Sequence, residues 1–218
     1  MIRSVKPPFL FKRIYNKLEW EFPATDKALY LTFDDGPVPG ITEKVLDLLE
    51  KYDAKATFFC IGGNIEKHAR VFDRLRLSGH TLGNHTYHHL NGWKTDNKLY
   101  FESVERTRPL VESNLFRPPY GRIRLSQASQ LKPRYRIIMW NVLSYDFDQG
   151  VSNEQCLENV TRNVVPGSVV VFHDSLRAAD TLEYVLPRVL EHFSKQGYRF
   201  NGIPDNARSA RFEAQGQY

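Results

Sequence analysis

Two carboxylates stand side by side where an apolar run ends: Asp34 and Asp35 in YLTFDDGPVPG, residues 30–40. A solvated turn needs only one acid. Two that cannot relax apart suit a site in which one group takes a proton and the other holds a metal. The chain supplies further partners. NHTYHH places His85 and His89 four apart, a spacing that one helical turn converts into two imidazoles on one face. With an acid at a neighbouring strand end they form a three-ligand divalent-metal site, with a position open for water. Zinc is the ion expected, other divalent metals also fit, and on zinc such water reaches a pKa of about 7. His88 points elsewhere. If Asp35 binds the metal, Asp34 is free to act as a base, and Arg117 in FRPPYG is placed to orient it and keep it ionised. His173 lies just beyond the apolar run SVVVF. Asp146 is its candidate partner, raising its pKa and making it a general acid.

These residues need elements that bring them together. From residue 28 the sequence alternates strand-like and helix-like segments. Strands are expected at 28–33, 55–62, 80–85, 115–121, 135–144, 167–175 and 198–203. Helices are expected at 41–52, 64–79, 96–113, 152–164 and 181–197. Gly79 closes the second helix, Pro109 bends or breaks the third, and Ser152 with Gln155 caps the fourth. Residues 167–175 read as a strand buried on both faces. Alternation of this kind implies parallel β/α units, either a barrel or an open doubly wound sheet. The length is short for a complete eight-fold barrel, and no G-x-G-x-x-G follows the first strand. In a parallel architecture the strand C-terminal ends face one side, so Asp34, Asp35, His85, His89, Arg117, Asp146 and His173 converge on one pocket.

In chain order TFDDG, HTYHH, RPPYG, WNVLSYDF and VFHD resemble the five motifs of polysaccharide deacetylases, the NodB-homology domain of carbohydrate esterase family 4. The likeness runs from about residue 28 to 203. It implies a distorted, incomplete (β/α) barrel of about seven parallel strands and metal-dependent removal of acetyl groups from a carbohydrate. Position by position, the resemblance makes Asp34 the general base and Asp35, His85 and His89 the metal ligands. Arg117 then positions Asp34, His173 is the general acid and Asp146 tunes it. The Tyr120 backbone N–H helps to form the oxyanion hole, and Val171 lines the acetyl pocket. The fourth motif departs from the family's Asp-x-x-Asp-Trp: Leu143 replaces the first Asp and Phe147 the Trp. Phe147 still offers an apolar wall. Trp93, in NGWKTDNK, either stacks on a sugar ring or packs.

The chain has 218 residues, 41% of them apolar, with a net charge of +5. One domain is the simplest reading. The charge permits an anionic partner without demanding one, and a nucleic-acid role is not expected. Cys60 and Cys156 are too few for a disulfide scaffold and form no Cys-x-x-Cys unit; buried thiols in a reducing compartment are expected. No apolar stretch is long enough for a membrane-spanning helix, and no G-x-S-x-G elbow marks a serine hydrolase. The N-terminus lacks a continuous apolar core, so no signal peptide and a cytoplasmic location are expected. Residues 1–27 read as a leading helical segment, with Phe11, Ile14, Tyr15, Leu18 and Phe22 at helical spacing. It is expected to pack on the barrel, with lying on a membrane surface as the alternative. Residues 205–218 are polar, aperiodic and expected to fray. The substrate expected is an N-acetylated sugar polymer or oligomer, since an amide leaving group needs the proton that His173 offers. An O-acetyl esterase or an inactive carbohydrate-binding protein are the alternatives. The oligomeric state is not encoded in these features.

Overall fold

The computed structural model describes residues 4–24 and 26–205. The expected tail lies almost wholly outside the described residues. Eight strands form one sheet: β1 (Ala28–Asp34), β2 (Thr57–Cys60), β3 (Thr81–Asn84), β4 (Leu115–Phe116), β5 (Arg136–Ile137), β6 (Val142–Leu143), β7 (Val169–His173) and β8 (Arg199–Phe200). Seven of them run in the order β5-β4-β3-β2-β1-β7-β6, and β8 pairs with the start of β1. Every ladder is parallel. The result is a curled half-barrel, the distorted, incomplete (β/α) barrel that the sequence implies.

The register matters for the site. In the β1–β7 ladder Phe33 pairs with Phe172 and Asp34 with His173. A shift by one residue would send the carboxylate to the opposite face. The strands are pinned by aromatic stacking: Phe33 lies 4.9 Å from Phe58 and 6.0 Å from Phe172, centroid to centroid. Outside the sheet lie α2 (Ile41–Lys51), α3 (Gly62–Lys67), α4 (Ala69–Leu77), α5 (Asn97–Val111), α6 (Leu125–Leu131), α7 (Asn153–Thr161) and α8 (Ala179–Lys195). Their apolar stripes supply the core; α8 alone buries Val185, Leu186, Val189, Leu190 and Phe193. The Ser152 hydroxyl accepts the Gln155 N–H at 3.2 Å, capping α7 as expected.

Several elements differ from the sequence reading. The continuous strand expected at 135–144 is divided between the two edges of the sheet, β5 and β6. Between them Ile138 N–H bonds Phe116, Met139 N–H bonds Glu19 and Asn141 N–H bonds Val169. The segment therefore crosses the open seam of the barrel, changing partners as it goes. Residues 19–22 fill the same seam, with bridges Glu19–Ile138 and Glu21–Ser168. The helix expected at 64–79 breaks at His68 (φ −124°, ψ 45°) into α3 and α4. Pro109 sits in the last turn of α5 without ending it; the helix stops at Glu112, which is left-handed. Helix α6 was not expected from the pattern. The leading helix α1 runs only over Phe9–Ile14.

Candidate active site

Asp34 ends β1, with its side chain against Arg117. Arg117 follows β4 and is fully buried. Its Nη1–H donates to Asp34 Oδ1 at 2.8 Å and to Thr32 Oγ1 at 2.6 Å, Nε–H to the Ile138 carbonyl and Nη2–H to the Met139 carbonyl. The guanidinium lies 4.2 Å over the Phe59 ring. Burial lowers its pKa, and the Asp34 charge opposes that. A buried cation is tolerated only when paired and hydrogen-bonded in this way. With Oδ1 so held, Oδ2 is the Asp34 oxygen left for other contacts.

Asp35 adopts φ 81°, a left-handed conformation that turns its carboxylate toward His85 and His89. The strain is held from three sides. Asn64 Nδ2–H donates to the Asp35 carbonyl at 2.7 Å, Ile61 N–H to the Gly36 carbonyl at 3.0 Å, and Gly36 N–H to Asp174 Oδ1 at 3.0 Å. A Cβ on Gly36 would overlap the Asp174 carboxylate, 2.0 Å from Oδ2. Asp174 Oδ2 accepts the Thr42 hydroxyl at 2.5 Å, and its own N–H bonds the Asp34 carbonyl. Burial pushes the Asp174 carboxyl up to about 8. Asp174, Asn64 and Thr42 escaped the sequence reading. An acid directly after the His173 that ends a buried strand was the available signal for Asp174.

His85 and His89 do come together, with ring centroids 5.1 Å apart, but no helical turn links them. Thr86 (φ 60°) and His89 (φ 54°) are left-handed. Side chains replace the helical bonds: Asn84 Oδ1 accepts Thr86 N–H, Ser103 Oγ accepts Tyr87 and His88 N–H, and Thr86 Oγ1 accepts Leu90 N–H. His85 Nδ1 lies 2.8 Å from the Arg117 carbonyl. A carbonyl only accepts, so Nδ1 carries the proton and Nε2 a lone pair. Burial pulls the His85 pKa down to about 4 against the Asp34 charge, leaving a neutral imidazole at neutral pH.

The three donors fit a divalent cation. Their ligand atoms lie within 4.8 Å of one another. Asp35 Oδ1 is 3.0 Å from His89 Nε2 and 3.7 Å from His85 Nε2, yet it is buried with no hydrogen-bond partner. The contacts are close but out of line for N–H donation. Burial pushes the Asp35 carboxyl up, but the His89 contact and the His173 charge outweigh that and hold it well below the usual carboxylate range.

Across the pocket, Asp146 Oδ1 lies 2.8 Å from His173 Nδ1, and Oδ2 accepts the His173 backbone N–H at 2.7 Å. Ser144 donates its hydroxyl to Oδ1. Burial pulls the His173 pKa down; the Asp146 charge and hydrogen bond more than reverse this and carry it up to about 9. Nδ1–H is committed to Asp146, so Nε2–H is the proton His173 has to give.

The pocket holds about 370 Å³ and is lined by Asp34, Asp35, His85, His89 and His173, with Tyr120, Trp140, Leu143, Phe147 and Val171 as apolar wall. Arg117 and Asp146 lie beneath it. The Tyr120 ring sits 4.5 Å from His89 and the Phe147 ring 4.8 Å from His173. Trp93 is outside the wall: its Nε1–H is bound to the Ile123 carbonyl, and Arg122 covers its ring. The sequence reading did not single out Trp140, Ser175 or Arg177, which with Gly121 complete the lining. A second, more apolar cleft between α2 and α8 holds none of this chemistry.

The polysaccharide deacetylase family model matches residues 22–132. A peptidoglycan-N-acetylglucosamine deacetylase of Bacillus cereus (strain ATCC 14579) is 33% identical over 91% of this chain and 72% of its own. The chain belongs to the polysaccharide deacetylase family. Among solved structures, a peptidoglycan N-acetylglucosamine deacetylase bound to a naphthalenyl-N-oxidanyl-benzamide superposes with a TM-score of 0.79 at 31% identity, covering 89% of this chain and 94% of that one. A mutant of a pseudoenzyme of carbohydrate esterase family 4, with restored enzymatic activity, gives 0.73 at 25% identity over 84% and 68%. Against the polysaccharide deacetylase motifs, the two departures, Leu143 and Phe147, both fall on the pocket wall. Leu143 puts an apolar side chain where the motif has a carboxylate, while Asp146 and His173 keep their pairing.

Proposed function

We propose that this chain is a metal-dependent hydrolase that removes acetyl groups from the nitrogen of an N-acetylated sugar. One observation carries the reading: two oppositely charged pairs, Arg117–Asp34 and His173–Asp146, flank the Asp35, His85 and His89 ligand set. Those three side chains would hold a divalent ion, zinc being the first candidate, and it would supply Lewis-acid chemistry there. Asp34 Oδ2 takes the proton from the attacking water as the new C–O bond forms. The Tyr120 N–H donates to the oxygen that gains charge, the contribution of an oxyanion hole. His173 Nε2–H delivers its proton to the nitrogen as the C–N bond breaks, giving acetate and an amine. Val171, Leu143, Phe147 and Trp140 shelter the acetyl methyl. The acid–base pair also argues against a purely carbohydrate-binding role.

Peptidoglycan glycan is the first substrate to try, because the similar proteins carry that substrate in their names. The experiment is acetate release from N-acetylglucosamine oligomers and peptidoglycan, beside O-acetylated xylan oligomers, with zinc supplied. Preference for the amide supports the proposal. Preference for the xylan ester replaces it with O-deacetylation on the same site.

A further inference from the structure

Helix α1 has two apolar faces, and only one is used. Phe11 packs on Tyr15 and Trp20, at centroid distances of 4.8 and 5.9 Å. With Leu18 these residues join the buried cluster that includes Ile123, Ala128, Leu131 and Tyr135. The Tyr15 hydroxyl donates to the Ile123 carbonyl at 2.7 Å, the same carbonyl that accepts Trp93 Nε1–H. The helix is thus fixed to the barrel. Yet Phe9 is 79% exposed, Leu10 66% and Ile14 50%. Leu10 and Ile14 are four apart and Arg13 lies between them, on the same outward side. Leu125, at the start of the neighbouring α6, is 56% exposed as well.

The charges around this patch have one sign. Lys6, Arg13 and Lys17 are exposed. The nearby acids Glu19 and Glu21 are engaged, by Arg136 and Lys12. Residues 113–145, which include the surface against which α1 packs, contain no acidic residue at all and six cations. Arg122, Arg124 and Lys132 are exposed among them. Exposed large apolar side chains ringed by unopposed cations are what an anionic lipid surface recognises: the apolar groups enter the headgroup boundary and the cations meet the lipid charge. Either signal alone gives weak, reversible attachment; the two together give stable docking.

We propose that the outer face of α1, with Phe9, Leu10, Ile14 and the surrounding basic residues, docks the protein peripherally on an anionic membrane surface. No helix of the described residues is long and apolar enough to cross a membrane. Docking leaves the packed face of α1 in place.

The test is flotation of the full chain with phosphatidylcholine vesicles, with and without phosphatidylglycerol. The expected result is binding to the phosphatidylglycerol vesicles only, reversed by high salt. A Phe9→Ser/Leu10→Ser/Ile14→Ser variant should lose affinity by about tenfold or more with an unchanged melting curve, and Arg13→Glu/Lys17→Glu should lose it likewise. The proposal is overturned by absence of wild-type binding, by equal binding to neutral vesicles, or by a triple variant that binds as wild type. It is also overturned if the wild type is a dimer that the triple variant dissolves while neither touches vesicles; the face then covers a second copy. None of these readouts depends on catalytic activity.

Discussion

Arg117 and Asp34 meet at 2.8 Å beneath the pocket floor, from positions 83 residues apart in sequence, and both are buried. Arg117 also caps the Ile138 and Met139 carbonyls, so one side chain ties Asp34 to the seam where the barrel fails to close. Asp34→Asn should retain zinc, because the proposed ligands are Asp35, His85 and His89, while turnover falls by about 10²–10⁴-fold. Zinc content and acetate release measured on one preparation check this; near wild-type release would remove Asp34 from the role of base. Arg117→Met should cost about 3–5 kcal/mol of stability, because it strands a buried carboxylate. Adding Asp34→Asn to that variant should recover part of the loss in a urea melt.

The metal ligands make a second expectation. His89→Ala removes one of three proposed donors and should lower zinc occupancy sharply, leaving Asp35 Oδ1 with only the His85 imidazole beside it, at 3.7 Å. Equilibrium dialysis with zinc checks it, and full occupancy with unchanged activity would remove His89 from the ligand set.

Most of the chemistry was legible because it concerns strand ends. Asp34, His85, Arg117 and His173 each stand at the end of a strand-like segment, and a parallel sheet gathers such ends whatever its exact order. The seam was not legible. Residues 135–144 are mostly apolar, with no Gly or Pro among them, and read as one strand; the tertiary partners Glu19, Phe116 and Val169 decide where that strand is cut. Nor was the loop from His85 to His89. Spacing alone favours a helical turn there, but Asn84, Thr86 and Ser103 offer the backbone better-placed side-chain bonds. Asp174 was hidden by its neighbour, since beside His173 it reads as part of the motif rather than as the bolt under Gly36.

That bolt is testable. Asp174→Ala removes the acceptors of both Gly36 N–H and the Thr42 hydroxyl, freeing the loop that holds Asp35 in its left-handed conformation. Partners of this kind around a metal ligand are worth about 10–100-fold in affinity. Zinc affinity by chelator competition should fall within that range, with Asp174→Asn less affected because it keeps an acceptor for Gly36. Unchanged zinc affinity in the alanine variant would show that Asn64 and Ile61 hold the loop unaided.

Acid stability should report His80. It is buried, and its Nδ1 accepts the Ala56 N–H at 3.3 Å. Burial, with Lys55 nearby, lowers its pKa to about 4 from 6.5. The unfolded chain therefore binds this proton more readily than the folded one. The stabilisation is fully present above about pH 6.5 and is lost as pH falls toward 4, by up to about 3 kcal/mol. Urea melts across that window should show a shallower pH slope in His80→Asn. Equal slopes would assign the acid sensitivity to other groups.

The last expectation separates the acid from the base. His173 is held protonated by Asp146, up to about 9, and an amine leaves only if its nitrogen is protonated as the C–N bond breaks. Raising the pH through the His173 pKa removes that proton, so kcat/KM on an N-acetyl sugar should fall on the alkaline side. Asp146→Asn keeps the side-chain size but removes the charge that raises the pKa, so burial then dominates. The alkaline limb of the variant should lie at lower pH than that of the wild type, and amide turnover at neutral pH should drop. An activated aryl acetate has a leaving group that needs no proton. On that substrate both Asp146→Asn and His173→Ala should lose much less, within the about 10²–10⁴-fold range typical of general acids for the amide alone. The measurement is paired pH–rate profiles on an N-acetylglucosamine oligomer and on the ester. If both substrates suffer equally, His173 acts by positioning or charge rather than by giving up a proton; an unshifted limb in Asp146→Asn would break the link between Asp146 and the acid.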